Sequence, residues 1–268
     1  MKYKMFVADF DDTILGSNRE IGAKFVTAIH KYIENGGRFV LATGRATSSI
    51  MPFCKQMNLS GELISYQGSI ISDIKSGKVL KRMSIEHNLL IKILEHLNNK
   101  GLCHHIYIDD GVVAEKESPF TQKYITLSGL TCIEAHMPLF KYATDKGLDS
   151  TKVLIVSNEE DAKTIRDELK KEFGHVTNVF TSKPWLVEII PLNSGKGEAL
   201  KFIAEKYSVD LKDIAAVGDG ENDVEMLKLA SFSAAVENAC QEAKDVANII
   251  VPSNDNDGVA YLLENYIL

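Results

Sequence analysis

Two acidic stretches near opposite ends of the chain, Asp9-Phe10-Asp11-Asp12-Thr13 and Gly218-Asp219-Gly220-Glu221-Asn222-Asp223, could do chemistry if the fold brings them together. Taken alone, Asp11 and Asp12 are ordinary turn or capping residues. Converging on one edge, however, Asp9, Asp11, Asp219 and Asp223 would repel one another by roughly 4 kcal/mol per pair at about 4 Å and an effective dielectric of about 20. Such a cluster calls for a cation. Its donors are all oxygen, with no Cys/His ligand set, which suits a hard ion. Mg²⁺ in particular takes one or two carboxylates together with waters and a phosphate.

Thr43-Gly44-Arg45 adds amide donors, and Lys196, within Asn193-Ser194-Gly195-Lys196-Gly197, adds an ammonium at the start of a helix. Metal, ammonium and amide groups together neutralise phosphoryl oxygens, so the implied substrate is a phosphate ester. A carboxylate can also attack phosphorus and form an aspartyl phosphate. Asp9, last on its strand, is the candidate nucleophile. Asp11 can give a proton to the leaving oxygen and later take one from water, provided that crowding by negative charge raises its pKa.

These residues need a scaffold, and the apolar periodicity supplies one. Tyr3–Ala8, Arg38–Ala42 and Glu62–Tyr66 read as buried strands, separated by helices over Glu20–Asn35 and from Ala46 to about Met57. Continuous apolar strands alternating with helices predict a parallel sheet covered on both faces, whose sites lie beyond the strands' C-terminal ends. Ser69–Arg82 reads as a hairpin around Lys75-Ser76-Gly77. A helix over Glu86–Lys100, strands at His105–Ile108, Lys152–Val156 and Leu186–Ile190, and a helix over Glu159–Phe173 then predict a separate mixed unit. Helix Gly195–Tyr207, strand Ile214–Val217, helix Asp223–Leu229 and strand Phe232–Val236 resume the first pattern. The expected organisation is a core made of residues 1–82 and 192–268, interrupted by a folded insertion over 83–191.

The motifs resemble those of the haloacid dehalogenase superfamily, in its Cof-type, subfamily IIB branch of phosphatases, over nearly the whole chain. Asp9-Phe10-Asp11-Asp12-Thr13-Ile14-Leu15, Ala42-Thr43-Gly44-Arg45, Ser194-Gly195-Lys196-Gly197 and Gly218-Asp219-Gly220-Glu221-Asn222-Asp223 match its four motifs, and Ser253-Asn254-Asp255 with Asp257-Gly258-Val259 matches its C-terminal signature. The resemblance implies an α/β fold, a Rossmann-like doubly wound parallel sheet core with a large mixed α/β cap domain of type C2B. It also implies Asp9 as nucleophile and Mg²⁺ ligand, Asp11 as general acid/base with its main-chain carbonyl on the metal, Asp219 as third protein ligand and Asp223 on the metal's water shell. Phosphate would meet the Phe10 amide, Thr43, Gly44, Lys196 and Asn222. Arg45, Gln67, Gly68 and Glu188 are candidate substrate contacts. Asp12 stands where glycine is commonest, Gln67 where asparagine is usual, and Val236-Glu237 where Met-Gly is frequent.

Composition narrows the partners. Thirty basic against 37 acidic side chains give a net charge of -7, which offers no positive field for counterion release, so nucleic acid is not an expected partner. No apolar stretch approaches the roughly 20 residues of a membrane span, and the first apolar run stops at Asp9, too soon for a signal peptide. A cytoplasmic protein acting on a small phosphorylated metabolite is the expectation. The four scattered cysteines read as reduced, buried hydrophobes. His104 and His105, adjacent on a strand, face opposite sides and make a poor metal pair, which predicts a solvated or substrate-facing histidine. Thr43 and Ser194 could also serve as helix caps, and Trp185 reads as packing.

The leading function is a Mg²⁺-dependent phosphatase. A phosphomutase or phosphotransferase would use the same groups with a sugar hydroxyl as acceptor. A receiver module needs its phosphoacceptor after the third strand, where this chain has Ser65-Tyr66-Gln67. A binding protein that has lost catalysis conflicts with the complete acidic set.

Overall fold

The computed structural model describes residues 2–268, so the first residue of the expected 1–82 segment lies outside the described residues. From the N-terminus run β1 (Met5–Asp9), α1 (Ala23–Glu34), β2 (Arg38–Ala42), α2 (Thr47–Gln56), β3 (Glu62–Ser65), β4 (Ile70–Asp73) and β5 (Val79–Arg82). There follow α3 (His87–Asn99), β6 (His104–Ile108), β7 (Gly111–Ala114), α4 (Pro119–Ser128), β8 (Cys132–Glu134), α5 (Leu139–Lys146), β9 (Val153–Val156), α6 (Glu159–Phe173), β10 (Thr177–Lys183) and β11 (Leu186–Pro191). The last part holds α7 (Lys196–Lys206), β12 (Ile214–Gly218), α8 (Val224–Leu229), β13 (Phe232–Val236), α9 (Gln241–Val246), β14 (Ile249–Val251) and α10 (Gly258–Leu262).

The first sheet has the order β14-β13-β12-β1-β2-β3-β4-β5. Its pairs from β14 to β3 are parallel, and the β4–β5 hairpin adds antiparallel strands at one edge. From β1 the chain steps outward through β2 and β3, and on its return it steps the other way through β12, β13 and β14. Right-handed crossovers taken in opposite directions put their helices on opposite faces, and α1 accordingly packs with α10 while α8 packs with α7 and α9. The doubly wound parallel sheet expected from the apolar strands is therefore present. Its order reverses between β1 and β12, and ligands of such sheets bind in the crevice beyond that point. The register levels Asp9 with Ala42 on β2 and sets Ala8 opposite Val217 on β12. Asp9, Thr43 and Asp219 thus leave adjacent strands side by side.

The second sheet, β10-β11-β9-β6-β7-β8, is antiparallel except for its β7–β8 pair. Alternation along its strands sorts the side chains. Val153, Ile155, Val187 and Ile189 face a core completed by Leu90, Leu94 and Leu139. Leu154, Val156 and Leu186 point to the other face, where Tyr107 and Tyr124 join Ala46, Tyr66 and Ile70 of the first sheet's segments in one apolar cluster. The two units are thus joined by packed side chains as well as by the chain.

Several helices and strands follow from periodicity, but β7, β8, α9, β14 and α10 are too short to show a period, and β10, α4 and α5 mix apolar and polar residues without a clear one. Punctuation would have found α4: Ser118 accepts from the Thr121 amide, Pro119 opens the helix and Gly129 closes it in the left-handed conformation. Both histidines differ from expectation. His105 is fully buried with Nε2 on Thr121 Oγ1 (3.0 Å), and His104 is buried with Nδ1 on the Leu102 carbonyl (2.7 Å). Burial holds both below the usual imidazole range, His105 at about 4. Each lies in a strand whose two faces are both covered, so neither is solvated or turned to a substrate.

Candidate active site

Asp9 ends β1 with its side chain almost wholly buried. Carboxylate oxygens of Asp9, Asp219 and Asp223 all lie within 4.8 Å of one another. Lys196, on the first turn of α7, reaches between them: its Nζ donates to Asp9 Oδ1 and, at 2.6 Å, to Asp223 Oδ1. The other Asp223 oxygen accepts the Asp219 and Gly220 amides at 3.0 Å each, which ties the loop after β12 into a tight turn. Thr13 Oγ1 donates to Asp219 Oδ1 at 2.9 Å and bridges the two acidic stretches.

Three carboxylates against one ammonium leave an excess of negative charge in a buried place. Burial, then the neighbouring Asp223, push Asp9 up from 3.8 to about 7 against the opposing pull of Lys196. Asp219 is likewise raised by burial and by Asp9 and Asp223. Lys196 is raised, the two aspartates outweighing its burial. Asp9 Oδ2 has no hydrogen-bond partner although it is buried. Such an orphan costs about 1–3 kcal/mol or more. An oxygen-only donor set, carboxyls crowded beyond what one ammonium neutralises and an orphaned carboxylate oxygen fit a divalent hard cation.

Asp11 lines the same cavity but is held apart from this cluster. Arg45 grips it with both arms, Nε to Oδ2 at 2.8 Å and Nη2 to Oδ1 at 2.7 Å. Its burial raises the carboxyl, yet the guanidinium outweighs that and the net shift is downward. The expected upward shift from crowding is therefore reversed, because a fixed bidentate cation outweighs more distant like charges. Arg45 is itself fixed against the Phe10 and Phe53 rings.

Thr43 is buried and its Oγ1 accepts the Arg45 amide (3.1 Å), so it shapes its own loop, while the N-cap of α2 is Ala46. Ser194 does not cap α7 either: its hydroxyl donates to the Pro191 carbonyl at 2.6 Å. Asn222 Nδ2 donates to Gln67 Oε1 at 2.9 Å, and Gln67 Nε2 to Glu188 Oε1 at 3.1 Å. Tyr66, Gln67 and Gly68 all have positive φ, at 51°, 58° and 101°. Asp12, where glycine is commonest in the resembling family, has φ 59°, the left-handed region that glycine enters freely. Its carboxylate pairs with Lys183 at 2.8 Å. The C-terminal signature folds back on this loop, Asn254 Nδ2 donating to the Leu15 carbonyl (2.9 Å), and Asn238, just after β13, donates through Nδ2 to the Asp12 carbonyl (2.7 Å).

The cavity above Asp9 holds about 90 Å³. Of the residues singled out from the sequence, Asp9, Asp11, Gly44, Arg45, Gln67, Glu188, Asp219 and Asn222 line it, while Phe10, Thr43, Gly68, Lys196 and Asp223 do not. Lys152, Lys183 and Tyr124 line it too and were not singled out from the sequence. Lys152 had one signal, a lone charge opening an otherwise apolar strand run.

The family model of the haloacid dehalogenase-like hydrolases matches residues 6–263. A 5-amino-6-(5-phospho-D-ribitylamino)uracil phosphatase of Bacillus subtilis is 27% identical over 98% of each chain. A second protein of that name from the same organism is 25% identical over 98% of this chain and 97% of its own. The crystal structure of a haloacid dehalogenase-like hydrolase from Bacteroides thetaiotaomicron superposes with a TM-score of 0.84 at 30% identity, covering 98% of this chain and 99% of that one.

Proposed function

The chain belongs to the haloacid dehalogenase-like hydrolases, and from that membership we propose that it is a Mg²⁺-dependent phosphatase of small phosphorylated metabolites, sugar phosphates or similar, working through a phosphoaspartyl intermediate. The observation that carries the reading is the buried Asp9 carboxylate at the reversal of strand order, one oxygen on Lys196 and the other without a partner. Asp9 and Asp219, with the Asp11 main-chain carbonyl, would hold the ion, and Asp223 its water shell. When bound, Mg²⁺ supplies the positive charge that lets a carboxylate and a phosphoryl group approach each other.

In the first transfer an Asp9 oxygen bonds to phosphorus as the ester P–O bond breaks, and the leaving oxygen takes a proton from Asp11. In the second a water oxygen bonds to phosphorus, Asp11 takes its proton, and the Asp9–phosphorus bond breaks to release phosphate. Asp11 must hold a proton for the first step, so Arg45 would have to leave it for the incoming dianionic ester. Lys196, the Phe10 and Gly44 amides, Thr43 and Asn222 would hold the phosphoryl oxygens.

Residues 83–191 would act as a cap over a core of residues 1–82 and 192–268. The cleft holds about 90 Å³, well below the roughly 300–1,000 Å³ of small-molecule sites. The cap would therefore open to admit an ester and close to exclude water. Apolar Ala46, Leu127 and Leu186 on the cleft wall suit a leaving group with an apolar part, and the names of the two Bacillus relatives add the ribitylaminouracil phosphate to a panel of sugar, nucleotide, flavin and pyridoxal phosphates.

The test is phosphate release from p-nitrophenyl phosphate with Mg²⁺ or EDTA, on the wild type and Asp9→Asn. Loss of activity in EDTA, and a fall of about a thousandfold or more in kcat for the variant, are expected. Equal activity of variant and wild type would refute Asp9 as nucleophile.

A further inference from the structure

Around the phosphate-binding candidates the polar side chains close into one circuit that leaves the first sheet, enters the second and returns. Asn222 donates to Gln67 (2.9 Å) and Gln67 to Glu188 Oε1 (3.1 Å); Glu188 Oε2 lies 2.7 Å from Lys152 Nζ, and Lys152 Nζ donates to the Gly44 carbonyl at 3.1 Å. Both ends, Asn222 and Gly44, belong to the proposed phosphate cradle. The middle belongs to the other sheet, Glu188 on β11 and Lys152 immediately before β9.

Resting on the phosphatase reading above, we propose that Lys152 and Glu188 are positioning residues, which set the phosphate cradle through Gly44 and through Gln67–Asn222 only while the two units are closed on each other.

The pair is buried, with side-chain exposures of 3% and 4%. Burying an ammonium and a carboxylate gains little net stability, and apolar replacements of such pairs are often neutral or stabilising. Packing therefore does not account for these charges. Their placement does: Lys152 and Glu188 share the sheet face of Leu154 and Leu186, which is turned toward the cleft. Lys152 also rests over the Tyr107 ring at 4.8 Å, which fixes the direction of its ammonium. Burial lowers its pKa and Glu188 more than restores it, so the group stays a cation.

On the receiving side, Gln67 sits in a turn of three consecutive positive-φ residues, a conformation that persists only where its surroundings hold it. A Cβ on Gly44 would come 2.2 Å from Gln67 Nε2, so the Gly44 backbone, which accepts from Lys152, packs against the Gln67 amide, which donates to Glu188. Opening the units breaks the Lys152–Gly44 and Gln67–Glu188 bonds together. The cradle then loses both supports at once.

A contact to the leaving group would look similar in a static structure, and inhibition by the phosphate end alone separates the two roles. Inhibition constants for inorganic phosphate and orthovanadate are measured with Mg²⁺ on wild type, Lys152→Met, Glu188→Gln and the double variant Lys152→Met/Glu188→Leu, alongside kcat and KM for three esters with unlike leaving groups. Positioning predicts inhibition weakened about tenfold in each variant, the loss of one charged hydrogen bond. The factor should be the same for every leaving group, and the double variant no worse than the singles because one circuit is broken once.

The double variant leaves no unpaired buried charge and should melt near the wild type. An inhibition constant does not depend on how much of the enzyme is folded, so a purely structural role would leave it unmoved. Unchanged inhibition by phosphate and vanadate, with or without losses confined to particular esters, overturns the proposal. A wild type that neither hydrolyses esters nor responds to phosphate overturns the phosphatase reading instead.

Discussion

Asp9 illustrates how little of a side chain's behaviour follows from its type. It shares a crowded site with Asp219, Asp223 and a single lysine, and its carboxyl moves from 3.8 to about 7. Between those two values the folded, metal-free chain keeps a proton that the unfolded chain has lost. This group's contribution to stability is therefore complete below the unfolded value and disappears as pH rises through the folded one. Mg²⁺ competes with that proton and binds only the folded site. The expected result is that Mg²⁺ raises the melting temperature more at about pH 8 than at about pH 5, measured by scanning fluorimetry against EDTA controls. An equal rise at both pH values would remove this cluster as the ion's site.

At the scale of elements, the turn Tyr66–Gly68 and the start of α7 depend on a close approach. A Cβ on Gly68 would lie 2.2 Å from the Gly195 carbonyl oxygen, next to Lys196. Gly68→Ala should cost about 2 kcal/mol or more, read by urea unfolding, and should lower activity by shifting Lys196. Gly77, in the β4–β5 turn, also has positive φ (70°), but a Cβ there would meet nothing within 4 Å. Gly77→Ala should therefore cost only about 1–2 kcal/mol and leave activity intact. The difference between the two variants isolates the close approach from the backbone strain they share.

Across the whole molecule, one unit touches the loops of the other at several polar points. Lys183 reaches Asp12, Arg166 and Thr181 both reach Glu221, and Asp110 accepts the Thr47 and Ser48 amides at 3.0 and 2.6 Å together with the Tyr66 hydroxyl. Asp110 thus serves the first turn of α2 from another sheet, a task no residue beside that helix performs. Asp110→Ala should cost about 1–2 kcal/mol, as the loss of a helix cap does. It should speed hydrogen exchange at the Thr47 and Ser48 amides and raise KM by favouring the open arrangement. Unaltered exchange at those two amides would show that the contact does not hold the units together.

The order of apolar strands and helices, the acidic ends of β1 and β12, and the lysine opening α7 were all legible in the amino-acid sequence, because backbone periodicity and motif spacing are local properties. Partner choice is not local. That Arg45 would clamp Asp11 and lower its pKa, that His104 and His105 would both lie in covered faces, and that Lys152 would cross to the Gly44 carbonyl depended on which segments packing brings together. Side chains far apart along the chain meet only after two sheets and their shared apolar cluster have formed, so their protonation and pairing belong to the tertiary structure alone.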